Sequence, residues 1–224
     1  MKVLVIATED YFGAGKAALR IYETLKQNSI ETYFLVKNKI STDDNHILKY
    51  DELVVRNFSP FASIVEKITH RFRKRIDTDP DYYFFGGEDI FLKANIKRLV
   101  KKLPFVPDII IVTWISNFLN TKHLLQLQTY TKARLIAYPM DMSLFTGGCH
   151  YAWECEGYKK DCDNCPAVLK TSQKKIAFKI LDQKNRNYRK SIIKPVAASD
   201  SLLNQLEQSA IFKSDKKITK SLFL

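Results

Sequence analysis

The chain has 224 residues, 46% hydrophobic and 27% charged, with a formal net charge of +12. That length buries a core without staples, and the composition is that of an ordinary globular protein, which excludes disordered and fibrous classes. The longest apolar run, 109–115, is interrupted by Thr113 and is too short to cross a bilayer.

Residues 2–8, "KVLVIAT", form a short apolar segment followed by Glu9 and Asp10. An acidic pair stands where a signal peptide would place its small cleavage residues, so the segment reads as a first strand of a cytoplasmic protein. Residues 15–27 place Ala18, Ile21, Tyr22 and Leu25 on one helical face, and 31–38, "ETYFLVKN", reads as a second strand. A helix is expected over 88–102, strands over 108–114 and 133–140, and a helix between them at 121–130. A helix near 172–190 and a strand over 194–199 complete the series. Apolar strands alternating with helices predict an α/β fold, a single Rossmann-like domain with a mostly parallel sheet covered on both faces. In such sheets ligands bind beyond the carboxyl ends of the strands, which points to 9–16, 113–120 and 140–150.

The first of these turns, "TEDYFGAGKAALR", sets Gly13 and Gly15 between strand and helix, followed by Lys16. Glycines let backbone approach a ligand, and free N–H groups at a helix start attract anions. The turn is neither a Walker A loop nor a dinucleotide fingerprint, because Ala17 replaces the hydroxyl residue of the one and the other needs a third glycine. A tight strand-to-helix turn explains the glycines equally well. Residues 58–76 place Phe61, Ile64, Val65, Ile68, Phe72 and Ile76 at helical spacing, with Lys67, Arg71, Arg73, Lys74 and Arg75 crowded among them. Such a helix either lies on an anionic membrane surface or turns its apolar stripe to the core.

All four cysteines, Cys149, Cys155, Cys162 and Cys165, fall within 17 residues. The last two form a C-x2-C knuckle able to grip one ion, while the first two are spaced more widely than in common zinc ribbons. Structural zinc, free thiols and disulfides all remain open readings, with His150 a substitute ligand beside Cys149. Neither linked reading, zinc or disulfide, makes the cluster catalytic, because four protein ligands leave no open position.

The same stretch, "MDMSLFTGGCHYAWECEGYKKDCDNCP", resembles the HDMW-x-FTGGCHY…C…C-x2-CP signature of family 4 glycosyltransferases that build bacterial surface polysaccharides. "YFGAGKAALRIYETL", "PDIIIVTWISNFLNTKHL" and "PVAASDSLLNQLEQSAIF" resemble further segments of that family in the same order, so the likeness runs along nearly the whole chain. It implies the N-terminal, acceptor-side domain of a GT-B enzyme over 1–224, with a Cys-rich insertion at 145–170. The donor-binding domain, with its E-x7-E motif, is expected to be absent from this chain. The implied reaction transfers a sugar from a nucleotide-diphosphate donor to a glycan or lipid-linked acceptor, without a catalytic metal.

On this resemblance Asp141 would act at the reacting centre, and Gly13, Gly15, Lys16, Trp114, Thr146, Gly147 and Gly148 would line the substrate cleft. Thr146 and Asp141 would face it. Met140 and Thr113 stand where the family carries histidines, and methionine cannot shuttle a proton. A non-catalytic, zinc-stapled module that binds an acceptor or a membrane is the alternative. Nucleic acid is disfavoured as a partner, since the cysteine spacing matches no DNA-reading finger. The expected location is cytoplasmic, peripheral on the inner face of the membrane. With the donor half expected elsewhere, the chain alone should give no product from a panel of nucleotide sugars and glycan acceptors. Robust transfer, scored by chromatography of the acceptor, would overturn that expectation.

Overall fold

The computed structural model describes residues 1–41, 44–54, 76–85, 92–213 and 218–220. β1 (Lys2–Glu9) leads through α1 (Phe12–Gln27) to β2 (Glu31–Asn38), then to the short β3 (Ile47–Lys49) and α2 (Tyr50–Val54). α3 (Ile96–Lys102), β4 (Ile109–Val112), α4 (Thr121–Thr131) and β5 (Arg134–Ala137) follow. After the cysteine-bearing segment come α5 (Lys175–Arg189), β6 (Ile193–Ala197), α6 (Asp200–Gln208) and β7 (Thr219–Lys220). The strands form one sheet in the order β3-β2-β1-β4-β5-β6-β7, and every pairing is parallel. This is a Rossmann-like α/β sheet whose strand order reverses between β1 and β4.

β1 lies at the centre because both its faces are apolar. Val3, Val5 and Ala7 pack with Ala18 and Tyr22 of α1 and with Phe34 and Val36 of β2. Leu4 and Ile6 belong to the opposite core, with Ile110, Val112 and Leu135 of the sheet, Leu99 of α3 and Leu124 and Leu127 of α4. A third core joins the cysteine segment to Ala177, Ile180, Leu181 and Tyr188 of α5 and Leu206 of α6. The fold thus has a sheet covered on both faces, plus a lobe built by residues 142–168 and the helices behind them.

The elements start and stop where local polar groups compete with the ladder. Of the helix expected over 88–102, the described part runs over Ile96–Lys102, and the Asn95 side chain accepts the Arg98 N–H at its start. The fourth strand ends before Thr113, whose hydroxyl and N–H both bond the Ile6 carbonyl. α1 starts at Phe12 rather than at Gly15, and β3 and α2 add to the elements legible in the sequence. The basic amphipathic segment expected at 58–76 lies outside the described residues apart from Ile76. Among the described residues no helix is long and apolar enough to cross a membrane.

α4 opens with a reciprocal cap. Asn120 accepts the His123 N–H, and His123 Nδ1 accepts the Asn120 N–H at 3.2 Å. Burial, helped by the Lys122 charge, lowers the His123 pKa to about 4, so the ring stays neutral and can accept. A histidine whose pKa falls on folding binds more protons when unfolded, so stability rises with pH between about 4 and 6.5. Urea titrations should show a gain of about 2–3 kcal/mol across that window, flattened in His123→Gln.

Candidate functional site

The sheet's carboxyl edge is fastened at the point where the strand order reverses. The Thr8 N–H bonds the Trp114 carbonyl at 2.7 Å and the Thr8 hydroxyl bonds the Ser116 carbonyl at 2.8 Å. These bonds hold the segment after β4 against the end of β1. They set Trp114 and Ser116 at the edge where such sheets bind ligands.

His150 reaches the same place from the cysteine segment. Its Nδ1 stands 3.1 Å from Asp141 Oδ2, and its Nε2 lies 2.9 Å from Ser116 Oγ. The Trp114 indole nitrogen is 3.2 Å from the same Nδ1. One ring nitrogen cannot donate to a carboxylate and accept an indole N–H together. The charge on Asp141 decides the matter, because a bare lone pair facing the carboxylate at that distance would be repelled. That places a proton on Nδ1, and with the ring neutral Nε2 accepts from the Ser116 hydroxyl. Phe85 and Trp114 flank the imidazole edgewise, with centroids 5.0 and 5.7 Å away.

Burial opposes ionisation of Asp141. The hydrogen bond from His150 and the 2.7 Å bond from the Ser143 N–H outweigh it and hold its carboxyl below the usual range. The stabilisation this provides is complete above the ordinary carboxylate pKa and is lost as pH falls through the lowered one. Asp141 thus orients His150, and its carboxylate is already committed to two donors. The histidine backbone is pinned too: its N–H bonds Tyr82 and its carbonyl accepts from Met142.

Trp114 and Asp141 are brought together as candidates, with His150 between them. Gly15 is buried at the junction of β1 and α1, where a Cβ would stand 2.7 Å from the Glu9 carbonyl oxygen. Gly13 and Lys16 are exposed on the first turn of α1. Thr146 departs from expectation. It does not face a cleft but is fully buried, its hydroxyl donating to the Cys149 carbonyl at 2.6 Å. Gly147 presses on α5, where a Cβ would meet the Ala177 carbonyl oxygen at 2.6 Å. Gly148 takes φ 128°, and its carbonyl accepts the Phe85 N–H. These three residues shape the turn, because the close packing of the loop on α5 leaves no room beside them.

All four cysteines line one small cavity together with Tyr82, Ala152, Tyr158 and Asp163. None is bonded to another. Burial pushes the Cys149 and Cys162 thiols up to about 12. Among the described residues no group of three or more His, Cys, Asp or Glu side chains closes to metal-holding geometry. His150 is not among the residues lining the cavity; it turns to Asp141 and Ser116 instead.

Three contributors escaped the sequence reading. Ser116 lies just past a strand end, a signal that was present but shared with every polar residue there. His150 was visible only as a neighbour of Cys149. Lys184, buried on α5, donates to the carbonyls of Ser143 at 2.6 Å and Thr146 at 3.0 Å, and nothing in a helical sequence pattern marks it. No protein-family model matches the chain, and no curated protein matches it.

Lys184→Met should leave those two carbonyls without their donor at a cost of about 1–3 kcal/mol each. Denaturant unfolding measures the loss. Because the 143–146 turn carries Asp141 and His150 at its ends, Trp114 fluorescence should change in the folded variant as well.

Proposed function

We propose that the chain is the acceptor-side domain of a sugar transferase, in which His150, oriented by Asp141, receives the hydrogen bond of an acceptor hydroxyl. The observation that carries this reading is the chain Asp141–His150–Ser116 at the carboxyl edge of the sheet. A hydroxyl that displaces the Ser116 hydroxyl from Nε2 meets an imidazole already oriented and backed by a carboxylate, the arrangement general-base chemistry needs.

Exposed aromatic rings continue from this point. Tyr151 follows His150 and meets Tyr83 and Trp153, with centroids 5.8 and 5.6 Å away. Trp153 is 64% exposed, and its indole N–H is held by the Asp81 carbonyl at 2.9 Å. An immobilised, exposed indole offers a flat face on which the C–H face of a pyranose can stack, with little entropy left to lose. Cationic groups suit a diphosphate donor: Lys37 Nζ bonds the Asn117 carbonyl at 2.6 Å beside this edge, and Lys16 is exposed on the first turn of α1.

The order of the three side chains favours a second reading, since nucleophile, base and orienting acid stand in the same sequence in serine hydrolases. Burial does not separate the two readings, since Ser116 and His150 are 4% and 5% exposed. A fluorophosphonate probe separates the two, because it would label Ser116 in a hydrolase and leave a transferase unmodified.

Titration of an oligosaccharide panel, followed by tryptophan fluorescence and calorimetry, tests the main reading. At least one glycan should bind. His150→Ala should weaken it about tenfold, the equivalent of about 1.4 kcal/mol, with His150→Gln keeping part of the affinity and Trp153→Ala losing it. A chain that binds no glycan, or binds it regardless of His150 and Trp153, would end the proposal.

A further inference from the structure

We infer that Cys149, Cys155, Cys162 and Cys165 hold one thiophilic divalent cation of the zinc class, and that this ion fixes the segment carrying His150. The inference rests on the cavity and its donors and is independent of the transferase reading.

The donors come from three separate stretches of the segment, yet they share one cavity. Cys149 lies at its start, next to His150; Cys155 follows the turn at Ala152; Cys162 and Cys165 close it. No lysine or arginine lines that cavity, so four thiols face each other with no cationic side chain among them. Soft sulfur donors without competing nitrogen cations select ions of the zinc type.

The backbone is arranged for thiolates. The Gly157 N–H points at Cys155 Sγ from 3.4 Å. The Gly147 N–H faces the Cys162 thiol and the Ala167 N–H that of Cys165, while the Val168 N–H bonds the Cys165 carbonyl at 3.2 Å. A neutral thiol is a weak acceptor, whereas a metal-bound thiolate rewards each amide that faces sulfur. Glycines stand at two close approaches to the thiols. A Cβ on Gly157 would lie 3.4 Å from Cys155 Sγ and 3.3 Å from Cys162 Cα, and one on Gly147 would come within 2.9 Å of Cys162 Cβ.

The segment also needs an anchor. Residues 146–170 hold only one short 3-10 turn, and Trp153, Cys162 and Asn164 all take positive φ. Holding such backbone in place requires interactions that over-determine it, and metal binding supplies folding free energy directly. The thiols do not stand in metal-holding geometry as they are, so a tetrahedral ion with bonds of about 2.3 Å would draw the sulfurs together. Because Cys149 precedes His150 and the Gly147 N–H faces Cys162, that contraction sets where the imidazole sits relative to Asp141 and Ser116.

The full chain, purified without chelator, should contain about one zinc per molecule by elemental analysis. Zinc removed by chelation should be replaceable by cobalt, with the ligand-field and sulfur-to-metal bands of a tetrahedral thiolate site. Loss of the ion should shift the His150 ring resonances in NMR spectra, a readout that glycan binding does not enter. Cys155→Ser and Cys165→Ser should each lose the ion. Should they fail to fold, metal content and the cobalt spectrum of the unmodified chain still decide. Metal-free folded protein with four thiols reactive to Ellman's reagent would overturn the inference, as would a mass showing two disulfides. Glycan binding by metal-free protein with unmoved His150 resonances would overturn the link to His150.

Discussion

The return of the chain from Asp141 to His150 is the closure on which the rest of the site depends. Met142 and His150 join through the backbone, Ser143 bonds Asp141, and Lys184 of α5 reaches in to hold the carbonyls of Ser143 and Thr146. A buried ammonium is tolerated only where it is well bonded, so this turn and α5 constrain each other. Release of either would leave buried polar groups unpaired and would free the histidine from the sheet edge.

That closure converts a core problem into a chemical resource. A carboxylate as buried as Asp141 is costly unless its lone pairs are used. Here Ser143 takes one oxygen and His150 the other. The other imidazole nitrogen points to the sheet edge, where it meets the Ser116 hydroxyl. The paired threonines, Thr8 and Thr113, do the complementary task from below. They bind the ends of β1 and β4 to each other, so the edge that receives the imidazole stays in place.

The cysteine-bearing lobe extends the same logic outward. Its core is contributed by α5 and α6, but its centre is a cavity of thiols rather than of methyl groups. Beyond it lies the trio Tyr83, Tyr151 and Trp153. The order from the sheet to the surface is thus buried carboxylate, imidazole, then aromatic faces, a gradient from fixed polarity to open stacking surface. A net charge of +12 adds attraction for anionic ligands over the whole molecule.

The sequence alone determined the α/β class, because strands buried on both faces must be nearly continuous runs of apolar residues, and "KVLVIAT" and "IIIV" can be little else. It also pointed to the strand ends as the place for a ligand and isolated the thiols in one segment, since both are matters of order along the chain. Only the tertiary structure decided the partners. Thr146 carries the residue type of a ligand contact and is spent inside its own turn, because the loop packs directly on Ala177. His150 sits in the sequence beside a cysteine, yet bonds Ser116, which is 34 positions away. Lys184 looks like any solvated helix position until the turn it holds is seen. Burial patterns repeat along the chain and can be read from it. Hydrogen-bond partners across a parallel sheet depend on how the crossovers close, and local sequence does not encode that distance.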